Sequence, residues 1–108
     1  MALGDLGLAY QAFKVAVSVD PNHGEALNNI AVLDMRRQKF DLAKACLGIS
    51  IDASPQLFEP LYNRALMAYR MGDFQEAYSC SEKALLLYPN HTESKELRLL
   101  LAKIFSVM

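Results

Sequence analysis

Apolar positions along this chain recur at the spacing of helices. Between Gly24 and about Arg37 they fall at Leu27, Ile30, Ala31 and Val32, and from about Phe40 to Ala53 at Phe40, Ala43, Leu47 and Ile51. Steps of three and four residues line such positions up along one side of a helix. The intervening RQK has room only for a turn. The same reading predicts a second helix pair over about 56–88, a lone helix over about 5–19 and a final helix over about 92–107.

These elements repeat. Pro21, Pro55 and Pro89 stand 34 residues apart, and so do Leu6, Phe40 and Phe74, then Ala9, Ala43 and Ala77, then Ala16, Ser50 and Ala84. The stretch GDLGLAYQAFKVAVSVDPNH returns two periods later as GDFQEAYSCSEKALLLYPNH. A fixed period of this size marks stacked supersecondary units, each too small to bury its own apolar face. Alanines in phase let antiparallel helices approach to about 8–10 Å, and the aromatic at Phe40 or Phe74 fills the corner of a helix pair. Asp73 with Glu76, and Asn90 with Glu93, have the spacing of helix N-caps. Pro60 fits only in the first turn of its helix.

The expected organisation is a single all-α domain over 1–108: a half repeat at 4–23, repeats at 24–57 and 58–91, and a capping helix at 92–107. The half repeat leaves Leu6, Phe13 and Val17 without a preceding helix. A fragment of a longer array is therefore expected, with self-association through this exposed N-terminal half repeat. In the last helix strict phase would turn Lys95, Arg98, Leu99 and Ala102 inward, yet the apolar stripe is Leu97, Leu100, Leu101, Ile104 and Met108. A capping helix, rotated to cover the end of the stack, accounts for that slip.

Composition narrows the chemistry. An apolar share of 53% with five Phe and five Tyr supports a folded, soluble chain. A net charge of −1 lacks the basic stripe that nucleic acid requires. No apolar run approaches the ~20 residues of a membrane span, and the start lacks the basic flank of a signal peptide. With two Cys and no export signal, a cytoplasmic, reducing setting is expected. His23 and His91 sit two periods apart, and Cys46 and Cys80 one, too far to share a metal or form a disulfide. No Gly-rich phosphate loop, HExxH, CxxC or nucleophile motif is present. Neither enzyme activity, metal nor cofactor is expected.

A 34-residue helix-turn-helix period with these small and aromatic columns resembles the tetratricopeptide repeat family along essentially the whole chain. LNNIAVLD and LYNRALMA match its first-helix motif, and GDLGLAYQAFKVAVSVDP, QKFDLAKACLGISIDASP and GDFQEAYSCSEKALLLYP its second. Asp34 and Ala68 depart from it where an aromatic is expected, Arg64 where a core leucine is, and Ser50 and Ser81 where apolar or small partners are. The resemblance implies an α-solenoid of antiparallel helix pairs. Its groove is lined by first helices, and by repeat phase the groove residues here are Asn28, Val32, Met35 and Arg36, then Tyr62, Asn63, Leu66, Tyr69 and Arg70. Glu25, Asn29 and Glu59 share those faces. An apolar stripe rimmed by arginines suits a helix or extended peptide of another protein; the alternatives are packing within its own superhelix, or plain exposure. Asp34 and Arg64 occupy buried phase positions on adjacent first helices and are expected to form an inter-repeat ion pair, unless Arg64 snorkels to the groove edge.

Within the family, HGEALNNIAVLDMRRQKFDLAKA, LFEPLYNRALMAYRMGDFQEAY and PNHTESKELRLLLAKIF resemble the C-terminal end of the tetratricopeptide subunits of the Bardet-Biedl type, found in the ciliary BBSome coat. That implies a scaffold whose partners are other BBSome subunits, placed at the cilium or ciliary base. Scaffolds of intraflagellar transport and of ubiquitin ligases share these phrases loosely. Other members grip chaperone tails with Lys, Asn and Arg; here the corresponding places hold Asn28, Val32, Glu59 and Asn63, and an acid stands where a base is needed.

Overall fold

The computed structural model describes Gln11, Lys14, Val15, Val19, Asp20 and residues 23–107. The described residues form five helices: α1 (Gly24–Arg36), α2 (Phe40–Ala53), α3 (Glu59–Arg70), α4 (Phe74–Leu87) and α5 (Thr92–Ser106). Of the expected helix over 5–19, Gln11, Lys14, Val15 and Val19 are helical and exposed. Leu6, Phe13 and Val17, on which self-association was expected to rest, lie outside the described residues.

The two hairpin turns are built alike, one period apart. At the end of α1, the Gln38 amide donates to Met35 O (3.0 Å) and the Lys39 amide to Asp34 O (2.8 Å). At the end of α3, the Gly72 amide donates to Tyr69 O (3.1 Å) and the Asp73 amide to Ala68 O (2.9 Å). This paired closure satisfies helix-end carbonyls and needs a left-handed residue at its centre. Gly72 takes that conformation with φ 83°, and Gln38 with φ 60°.

Helix starts follow local chemistry, with one departure from expectation. Asp73 caps α4, its carboxylate accepting from the Glu76 amide at 3.2 Å. The cap of α5, however, is His91 and not Asn90: the His91 ring Nδ1 accepts from the Ser94 amide at 3.3 Å. His23 caps α1 in the same way, accepting from Ala26 N at 3.0 Å. An imidazole nitrogen can do what a cap carboxylate does, provided the ring is held in place. Pro60 lies in the first turn of α3, where its missing N–H leaves no bond unmade.

The chain forms two compact units, Met1–Pro55 and Gln56–Met108. In the first, α1 and α2 form an antiparallel hairpin with Ala31, Ala43 and Leu47 fully buried. Burying a leucine side chain is worth about 1.5–3 kcal/mol. Ser50 Oγ donates to Gly24 O at 2.6 Å, tying the end of α2 to the start of α1. A Cβ on Gly24 would collide with the Ser54 side chain, so only glycine permits this approach.

In the second unit, α4 packs against both α3 and α5. Its core joins Ala65 and Ala68 of α3, Ala77 and Cys80 of α4, and Leu97 and Leu101 of α5. Tyr62, Tyr69, Phe74, Tyr78, Ile104 and Phe105 pack around it, half-buried. The buried stripe of α5 is Ser94, Leu97 and Leu101; Leu100, expected inward, is 42% exposed. Leu101 takes the buried place, in the core shared with Ala77 and Cys80 of α4.

Candidate functional site

Within the second unit, α3 carries the expected face. Tyr62, Asn63, Leu66 and Tyr69 are half-buried, and Arg70 and Glu59 are exposed. Two of these residues also hold structure. The Tyr62 ring stands edge-on to His91 (centroids 4.9 Å apart), and the Tyr69 ring is tilted on Phe74 (5.9 Å). Burial pushes the Tyr62 phenol above its ordinary range, aided by Glu93 and Glu96 and opposed by Arg70, so at neutral pH it keeps its proton. Leu66 is half-buried and Arg70 exposed, and neither takes part in these ring contacts.

On α1 the equivalent positions divide differently. Val32 and Asn29 are half-buried, and Glu25 and Arg36 exposed, whereas Asn28 and Met35 retain only 7% and 6% of their surface. Those two lie behind the face, with too little area left to meet a ligand.

Asp34 and Arg64, expected to pair with each other, each have other surroundings within their own unit. Arg64 Nε donates to Glu76 Oε1 of α4 at 2.7 Å, with both side chains about a quarter to a third exposed. Asp34 is 2% exposed, and its Oδ1 has no hydrogen-bond partner among the described residues. Burial raises its pKa, an effect only partly offset by Lys39, Arg37 and Lys14. The missed partner of Arg64 has a counterpart in the columns: one period earlier, in the α1–α2 hairpin, the same two places hold apolar Ile30 and Leu42.

A knot of aromatic rings closes the turn before α5. Phe58 stacks on Tyr88 (5.0 Å, 20° between planes) and lies against His91 (4.7 Å). Besides its cap bond, His91 Nδ1 lies 2.6 Å from Ser94 Oγ, and Nε2 lies 3.1 Å from Glu93 Oε2. With Nδ1 accepting from the amide, Nε2 carries the proton and points it at the carboxylate. The ring is spent on architecture.

Cys46 and Cys80 are free thiols. Burial raises both pKa values, with Asp34 adding to the effect at Cys46, so neither thiol is primed as a nucleophile. Among the described residues there is no metal-binding cluster and no helix long and apolar enough to cross a membrane.

A period of 34, helix hairpins closed by matching turns and alanine seams define a helical-repeat protein-binding class. Residues 58–91 match the family model described as tetratricopeptide repeat, so this stretch is one repeat of that family. It is similar to Tetratricopeptide repeat protein 8 of Homo sapiens, 33% identical over all 108 residues, and to that of Mus musculus, 32% identical over the same length. The Caenorhabditis elegans protein of that name is 35% identical over 95 residues. The chain spans about a fifth of the length of these relatives, 20%, 21% and 19%. Among solved structures, the first tetratricopeptide domain of Spaghetti (RPAP3) bound to an HSP90 peptide superposes with a TM-score of 0.86 at 18% identity, over 95% of this chain and 82% of that one. The NMR structure of the first such domain of human RPAP3 gives the same TM-score and identity over 96% and 82%. At that identity the likeness is one of fold.

Proposed function

We propose that this chain is the protein-binding part of a Tetratricopeptide repeat protein 8-like subunit, a non-enzymatic scaffold of the BBSome coat that helps move membrane proteins into or out of cilia. The observation that carries this reading is identity to the human relative spread over all 108 residues, including stretches outside the matched repeat. Contact is made through the first-helix faces, with Leu66 and Arg70 on α3 and Val32 and Arg36 on α1 as the principal side chains. The cytoplasm and ciliary base are where such a scaffold would act.

A chaperone-tail reading has one observation behind it, the HSP90 peptide bound to the structural neighbour. Against it, exposed Glu59 and half-buried Asn63 stand where a peptide carboxylate would need cations. Affinity isolation of the full-length protein, with its partners identified, separates the two. Recovery of several coat subunits supports the proposal. Recovery of chaperones alone overturns it.

A further inference from the structure

The period makes α5 the counterpart of α3. Leu61, Arg64, Ala65 and Ala68 on α3 correspond to Lys95, Arg98, Leu99 and Ala102 on α5. On α3 this face lies under α4: Ala65 and Ala68 are 0% and 3% exposed in the core they share with Ala77 and Cys80, and Arg64 meets Glu76. On α5 the same face is largely uncovered, with Arg98 half-buried. Leu99 is 64% exposed, Ala102 and Lys95 are exposed, and no ion pair to Arg98 is formed among the described residues.

A groove of about 340 Å³ runs beside that face between α4 and α5. Leu85, Leu86 and Pro89 supply its apolar wall, and Glu82, Lys95 and Arg98 its polar edge. Leu86 is 82% exposed. Apolar surface flanked by cations, on a face whose counterpart receives a helix with a carboxylate, has a definite complement.

We propose that this face of α5, with the groove beside it, seats an amphipathic helix of a partner protein that sets small or apolar residues on Leu99 and Ala102 and a carboxylate on Arg98. The internal precedent specifies the occupant: α4 covers the α3 face with Ala77 and Cys80 and brings Glu76 to Arg64. A second copy meeting this face two-fold would set Lys95 and Arg98 against their own copies, an unfavourable juxtaposition of like charge. The seat is separate from the α3 groove face and does not depend on the coat assignment.

The probe is a synthetic peptide of residues 73–88, DFQEAYSCSEKALLLY, with Cys80→Ser, titrated into the chain and followed by NMR shifts and anisotropy. Saturable binding should shift the amides of Leu86, Leu99 and Ala102. Glu76→Lys in the peptide, or Arg98→Glu in the chain, should each weaken it about tenfold, and combining the two should restore it, as charge-assisted pairs require. Absence of saturable binding, shifts confined to other helices, or indifference to both charge reversals would overturn the proposal. A concentration-dependent dimer lost in Leu99→Asp, without peptide binding, would assign the face to a second copy and overturn it equally.

Discussion

Gln38 holds φ 60° where its period-mate Gly72 holds 83°. The left-handed region costs a non-glycine residue roughly 1–2 kcal/mol, and glycine gives some of that back through its freer unfolded chain. Gln38→Gly should therefore raise stability by about 0.5–1 kcal/mol in urea unfolding, and Gly72→Ala should lower it by about 1 kcal/mol. Asp34 makes a prediction in pH. Its folded pKa lies above the ordinary 3.8, so the folded state holds the proton more tightly than the unfolded one. Stability is then fullest below that ordinary value and falls as pH rises through the folded pKa. Asp34→Asn cannot ionise, so its advantage over the parent should grow between pH 3.5 and pH 7; unfolding curves at the two pH values measure it. His91 offers a third test. His91→Ala removes a cap and three ring contacts and should cost about 2 kcal/mol or more, whereas His91→Asn keeps a cap acceptor and should lose about half as much, read from thermal unfolding.

Helices and turns were largely legible before the structure. Proline phase, alanine columns and three-and-four spacing located all five described helices, because each signal reports a local steric requirement. α1 ends at Arg36, one residue before the expected limit, since Arg37 already turns toward the left-handed Gln38. What local pattern could not give was the choice among competing partners. Cap propensities favour Asn90, but the rings of Phe58, Tyr62 and Tyr88 hold His91 where its Nδ1 meets the Ser94 amide. Hydropathy alone put Leu100 inward; packing against α4 selects Leu101. For the expected groove face, phase identifies its columns, but not that Asn28 and Met35 are buried. Arg64 shows the same lesson in pairs. Its bond to Glu76 crosses one hairpin, and the partly exposed geometry is worth about 0.5–1 kcal/mol. Replacing both by their period-mates, Arg64→Ile with Glu76→Leu, should leave stability unchanged or improved, while Arg64→Ile alone should cost more than the double variant; a double-mutant cycle by urea unfolding checks both.

At the scale of the molecule, one hairpin design is written into both units. The turn bonds of Lys39 and Asp73, the alanine seams and the paired left-handed residues all recur at 34 residues. Such repetition multiplies surface instead of enclosing a reaction chamber, which is why the family resemblance and the partly exposed first-helix faces lead to binding. The free cysteines, the capping histidines and the half-buried ion pair have structural explanations, and none is arranged for turnover. The most direct test places Leu66→Ala and Arg70→Glu together in the full-length protein, two changes outside the ring contacts of Tyr62 and Tyr69. Partner recovery from cells and the thermal unfolding of the same variant are then compared with the parent. The account predicts that coat subunits are lost, by about tenfold or more, while the unfolding temperature stays within about 3 °C. Undiminished recovery of those partners by a normally folded variant would contradict it.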